Sequence, residues 1–137
     1  MDQINLKTAD YQEIVDYCQQ ALPNEACGIM AGRIKGNKGI VEKIYYMSNN
    51  EASPERYFME PEEQFAVFRD MRKNEWELIS IFHSHPNTPA RPSREDIEMA
   101  HYEDAIYSIL SLKSKEPVFR GYKIGENDYQ EVEISFA

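Results

Sequence analysis

The sequence predicts an α/β chain, a mixed sheet flanked by helices, on three observations. Residues 8–22 carry apolar side chains at helical spacing. Six short runs rich in β-branched or aromatic residues, at 26–34, 40–47, 76–82, 105–112, 117–124 and 129–136, read as strands. Helix signals interrupt them at 61–74 and 93–102, giving the order α-β-β-α-β-α-β-β-β, which fits one sheet with helices packed on it. At 137 residues the chain is expected to form a single domain over 1–137, long enough to bury a core.

Each element has a local reason. In the first helix Tyr11, Ile14, Val15, Cys18 and Leu22 form one stripe, Thr8 is placed to cap the start, and Pro23 lies beyond the end. The run 26–34, ACGIMAGRI, is apolar with two glycines and reads as a buried strand. Gly36-Asn37-Lys38-Gly39 is a turn signal, so 26–34 and 40–47 are expected to pair as a hairpin. From Ser48 to Pro61 the sequence is polar and irregular. Pro61-Glu62-Glu63 then opens a helix, with Phe65, Phe68 and Met71 as its apolar face and an end near Asn74. No internal repeat or low-complexity tract interrupts the chain.

Composition narrows the function. The formal net charge is −9 and the basic residues are scattered, which argues against nucleic acid as a partner. No apolar run approaches the roughly 20 residues needed to span a bilayer, and no signal peptide is visible, so a cytoplasmic protein is expected. Cys18 and Cys27 lack CxxC spacing and are read as free thiols. The sequence admits a homodimer without requiring one.

The densest chemistry lies at 79–97, ISIFHSHPNTPARPSREDI. On a strand, His83 and His85 point to one face, and Pro86 should stop the ladder there, leaving both imidazoles at an exposed strand end. Ser93 reads as a helix cap with Asp96 in the first turn. Two imidazoles and a carboxylate then converge across one loop, the ligand count of a catalytic zinc. Plainer readings stand beside this one: partly exposed strand histidines, and an Asp96 that merely closes a capping box. Zinc hydrolysis also needs a base. Glu95 and Glu98 read as a solvated helix face, whereas Glu25, where the first helix meets the first buried strand, is a candidate.

Taken together, Glu25, His83-Ser84-His85-Pro86 and Ser93-x-x-Asp96 resemble the signature of the JAMM (MPN-plus) zinc metalloproteases. Asn24 to Gly32 is similar to that family's stretch around its catalytic glutamate, and Asn49 to Pro61 to its link between second strand and second helix. The resemblance implies a fold like that of cytidine deaminase and one zinc ion per chain, held by His83, His85 and Asp96. It implies that Glu25 takes a proton from the attacking water and returns one to the leaving amine, and that Ser93 steadies the oxyanion, although Ser93 also reads as a simple cap. The implied substrate is the amide or isopeptide bond after the C-terminal glycine of a ubiquitin-like or sulfur-carrier protein with a Gly-Gly tail. Such a tail is expected to pair with an exposed strand near 48–58, with Arg56 and Tyr57 touching it. Two alternatives remain open: a non-catalytic MPN-type binding module, and another zinc hydrolase. A deaminase would need H-x-E together with P-C-x-x-C, and no P-C-x-x-C occurs.

Overall fold

The hairpin signal is realised with a two-residue connection. Strand β2 (Cys27–Lys35) turns through Gly36 and Asn37 into β3 (Lys38–Met47). Gly36 sits at φ +60°, a left-handed conformation open to a residue without a side chain. In the computed structural model, which describes Met1–Ala137, eight further elements surround this hairpin. They are β1 (Gln3–Leu6), α1 (Thr8–Ala21), α2 (Pro61–Lys73), β4 (Glu77–His85), α3 (Arg94–Glu98), β5 (Ile106–Ser111), β6 (Val118–Ile124) and β7 (Tyr129–Phe136). The mixed α/β architecture is as expected.

The strands run in the order β1-β3-β2-β4-β5-β6-β7 and close into a barrel. Closure depends on β1, which sequence reading missed: Gln3-Ile4-Asn5-Leu6 alternates polar and apolar, but over only four residues. It pairs in parallel with β3 on one side and β7 on the other. The only other parallel pair is β4 with β5. No helix is long and apolar enough to cross a membrane.

Two apolar cores flank the sheet. In one, Ile14, Val15 and Cys18 of α1 pack with Met30, Phe82 and Leu110. In the other, Val67 and Met71 of α2 pack with Ile29, Ile81 and Tyr107. Because strand side chains alternate, His83 and His85 share the face of Ile81, the α2 side.

Several local expectations change. Lys7, not Thr8, is the N-cap of α1, and Thr8 instead donates its backbone N–H and its hydroxyl to the Ala137 carbonyl. Leu22 lies past the helix end and is exposed, and Phe65 is exposed beneath the Arg69 guanidinium while Val67 takes the buried position. The third helix stops at Glu98. Residues 48–58 form no strand, only an isolated bridge between Asn49 and Met59. The reason is local: the Asn49 carboxamide oxygen takes the backbone N–H groups of Glu51 and Phe58, holding the segment as a loop.

The β2–β3 register shifts between Ala31 and Gly32, where a Cβ on Gly32 would lie 1.9 Å from the Ile40 carbonyl oxygen. Backbone on the neighbouring strand cannot yield as a side chain would. Gly32→Ala should therefore destabilise the fold by about 1–3 kcal/mol, read as a lowered urea midpoint. An unchanged midpoint would contradict this packing.

Candidate metal and hydrolytic centre

The site begins at the end of β4. His83 and His85 are 1% and 3% exposed, so the imidazoles are buried rather than at an exposed strand end. They are covered by the loop after Pro86, by α3 and by Tyr57, whose ring stacks on His83 at 4.5 Å between centroids. The two Nε2 atoms stand 3.1 Å apart.

Asp96 completes the group. Ser93 caps α3 by accepting from the Asp96 N–H (3.0 Å), and Asp96 Oδ2 accepts from the Ser93 N–H (2.9 Å). The capping box is thus real, and it aims the carboxylate at the histidines. Asp96 Oδ1 lies 3.1 Å from His83 Nε2, and Oδ2 lies 2.9 Å from His85 Nε2. Burial by itself would raise the Asp96 pKa. The two imidazoles and the Ser93 N–H outweigh it and hold the carboxyl far below the usual range.

His85 also reveals its tautomer. Its Nδ1 lies 2.8 Å from the Pro89 carbonyl oxygen, which can only accept, so Nδ1 carries the hydrogen. Its Nε2 faces a carboxylate oxygen and a second imidazole nitrogen. With Nδ1 committed to that carbonyl, Nε2 is the ring atom left to meet a proton or a metal ion. Donation of the far ring N–H to a backbone carbonyl is the usual support of a metal-binding histidine. Four ligands at zinc distances in a tetrahedron lie roughly 3.3 Å apart, and the three separations here, 2.9–3.1 Å, are close to that. The donor set of two imidazoles and one carboxylate also suits zinc. The residues present fit the ion.

Glu25 reaches the site through the sheet. Cys27 pairs with His83 in the β2–β4 ladder. Beyond it, Ala26 donates its N–H to Ser84 Oγ (2.8 Å) and accepts from the Ser84 N–H (2.9 Å). The Glu25 backbone is fixed by its N–H to the Ser53 carbonyl and by its own carbonyl, which accepts from Asn49 Nδ2. The carboxyl is buried, and Oε1 has no hydrogen-bond partner. Burial first, then the negative charges of Asp96, Glu95 and Glu55, push its pKa up to about 9.

Of the other expected residues, Ser93 lies beside Asp96 as the cap, with its O–H uncommitted while Oγ accepts. Arg56 is an exposed residue paired with Glu95 at 3.4 Å. Arg56, Tyr57 and Asp96 share the lining of a cavity of about 150 Å³. Glu98 lies on the surface, 3.8 Å from Arg94. Cys18 and Cys27 are free and buried, and burial pushes both thiols up to about 12.

Four residues that shape the site escaped sequence reading. Ser84 links β4 to Ala26, and Asn49 holds the Glu25 and Arg56 carbonyls with one amide. Ser111 and Tyr122 donate to the carbonyls of Thr88 and Ala90, bracing the loop that supports His85. Ser84, inside the HxH, and Asn49, in the stretch similar to the family's strand-to-helix link, carried a signal.

The chain matches the family model described as prokaryotic homologs of the JAB domain over residues 7–124. It is 35% identical over 100 residues to a protein of Mycobacterium tuberculosis named CysO-cysteine peptidase, covering 73% of this chain and 67% of that one. It is 31% identical over 111 residues to a Pyrococcus furiosus protein named desampylase, covering 80% of this chain and 74% of the other. A solution structure of a Desulfitobacterium hafniense protein superposes with a TM-score of 0.90 at 41% identity, over 98% of this chain and 92% of that one.

The raised Glu25 pKa has a consequence for stability. Unfolded, the carboxyl titrates near 4.5; folded and metal-free, near 9. Between these values the unfolded chain has lost the proton that the folded chain keeps, so the metal-free protein loses stability as pH rises through that window. Glu25→Gln removes the effect. In chelator, the variant should melt above the unsubstituted protein at about pH 8, and the gap should close towards about pH 5. A gap independent of pH would contradict the buried neutral carboxyl.

Proposed function

The chain belongs to the prokaryotic homologs of the JAB domain and is a JAMM-type hydrolase; from that premise we propose that it is a zinc metallopeptidase, acting as one unit over 1–137, that cleaves the amide bond after the C-terminal glycine of a ubiquitin-like or sulfur-carrier protein. One observation carries the reading: three buried ligand atoms 2.9–3.1 Å apart, within electrostatic reach of a buried, unpartnered carboxyl.

His83, His85 and Asp96 hold the ion. When bound, zinc supplies a Lewis acid that acidifies water, polarises the scissile carbonyl and sets a positive charge against Glu25's negative neighbours. Glu25, thereby ionised, takes a proton from the attacking water and delivers it to the departing amine nitrogen. Its Oε1, without a partner inside the protein, is free for that exchange. Ser93 directs its O–H at the oxyanion while its oxygen keeps the cap. Tyr57, packed on His83, shields the imidazole from water and keeps its ring orientation.

The carrier tail enters by Arg56 and Tyr57. The cavity they line is walled also by Phe58 and Met99 and includes Asp96 in its lining. With no strand at 48–58, the tail is held by side chains and loop backbone rather than by adding to a ladder. The names of the two relatives support a conjugate or carrier adduct as the substrate class.

Chelator should abolish cleavage of a carrier extended beyond Gly-Gly, and added zinc should restore it, read by mass spectrometry. Glu25→Gln should keep one zinc per chain while turnover falls by about 10²–10⁴. His83→Ala should lose the zinc. Undiminished cleavage by Glu25→Gln would exclude it as the base, and zinc-free His83→Ala with full activity would exclude the metal site.

A further inference from the structure

A second cleft lies beside the candidate site. It encloses about 610 Å³ and takes Pro89, Ala90 and Arg91 as one wall, with Lys113, Arg120 and Tyr122 among its other residues. Strand register places it. His83 and His85 pair with Ile109 and Ser111 of β5, which pair in turn with Arg120 and Val118 of β6. Paired residues share a sheet face, so the cleft lies on the face that carries the two imidazoles. Its floor is fixed by Tyr122 and Ser111, both 4% exposed, through their bonds to Ala90 and Thr88. None of its residues lines the cavity of Arg56, Tyr57 and Asp96.

The cleft's charge runs against that of the protein. The chain carries a net −9, yet Arg91, Lys113 and Arg120 meet here with one acid, Glu131. Glu131 pairs with Arg120 at 3.2 Å, while Arg91 and Lys113 are exposed and enter none of the ion pairs in the structure. Two uncompensated cations beside the site form a local attraction for an anionic group. Three cations within an acidic field are too few for a phosphate backbone, which favours carboxylates on a protein.

We propose that this cleft seats a carboxylate-bearing segment of the substrate on the leaving-amine side of the scissile bond, opposite the carrier tail, so that Arg91 and Lys113 select for acidic residues there. This rests on the hydrolase reading above, with the tail at Arg56 and Tyr57.

Two measurements separate the inference from that reading. In the first, zinc-loaded protein is given a Gly-Gly carrier extended by a glutamate-rich or a glutamine-rich peptide of equal length. The kcat/KM ratio should favour the acidic extension by about fivefold at low salt, mainly through KM. It should fall towards one in high salt and in Arg91→Gln/Lys113→Gln, and invert in Arg91→Glu/Lys113→Glu. In the second, the fluorescein-labelled glutamate-rich peptide alone is titrated against each protein by polarisation, with melting curves confirming that the variants fold. Binding that weakens from the unsubstituted protein to the Gln to the Glu variant supports the cleft even if no carrier is cut, an outcome that would overturn only the hydrolase reading. Equal cleavage of both extensions, or peptide binding indifferent to both variants, overturns the inference. So does tighter binding of an oligonucleotide of equal charge through the same residues.

Discussion

Two hydrogen bonds between Ala26 and Ser84 govern the arrangement of the candidate site. They extend the β2–β4 ladder one residue beyond the Cys27–His83 pair, just where β2 ends and a loop begins. Glu25, next along, is thereby set against a histidine pair 58 residues further on in the chain. Ser84 is fully buried and stands between the two histidines, so one short segment supplies both the candidate ligands and the clamp for the candidate base. Asn49 secures the other side of Glu25 and carries Arg56 and Tyr57 with it. Without the ladder, these groups would share a sequence but not a site.

The site concentrates buried polar groups that the chain itself does not satisfy. Glu25 Oε1 and His83 Nδ1 are buried without partners. Each such group works against folding, since desolvation is not repaid by a bond. Such concentrations of unmet polarity occur where function has displaced stability, and the apolar cores on either face of the barrel offset them. Asp96 shows how economically the centre is built. One carboxylate closes the cap of α3 and faces both imidazoles, so the capping reading and the ligand reading of this residue are compatible.

What could be read in the sequence followed the range of the forces involved. The hairpin, α1, α2 and the later strands declared themselves through periodicity, turn residues and proline. The convergence of His83, His85 and Asp96 was legible because a strand end, a short loop and a capping box are local devices within 14 residues of one another. Strand β1 was not legible, because QINL gains its role only by lying between β3 and β7, partners distant in the chain. Phe65 was misplaced because helical spacing names a stripe but not which edge of it the sheet covers. Residues 48–58 were misread as a strand because the Asn49 side chain, not the backbone pattern, decides their hydrogen bonding.

By itself, then, the sequence determined the α/β class, the principal helices and strands, and the grouping of His83, His85 and Asp96, because those follow from short-range periodicity, capping and spacing. Only the tertiary structure decided that the sheet closes, that the imidazoles are buried, and that burial and neighbouring carboxylates push the Glu25 pKa up. It alone disclosed the braces at Ser111 and Tyr122 and the cationic cleft above them. Burial, pKa and cleft shape are properties of neighbours, and here the neighbours come from strands far apart in the chain.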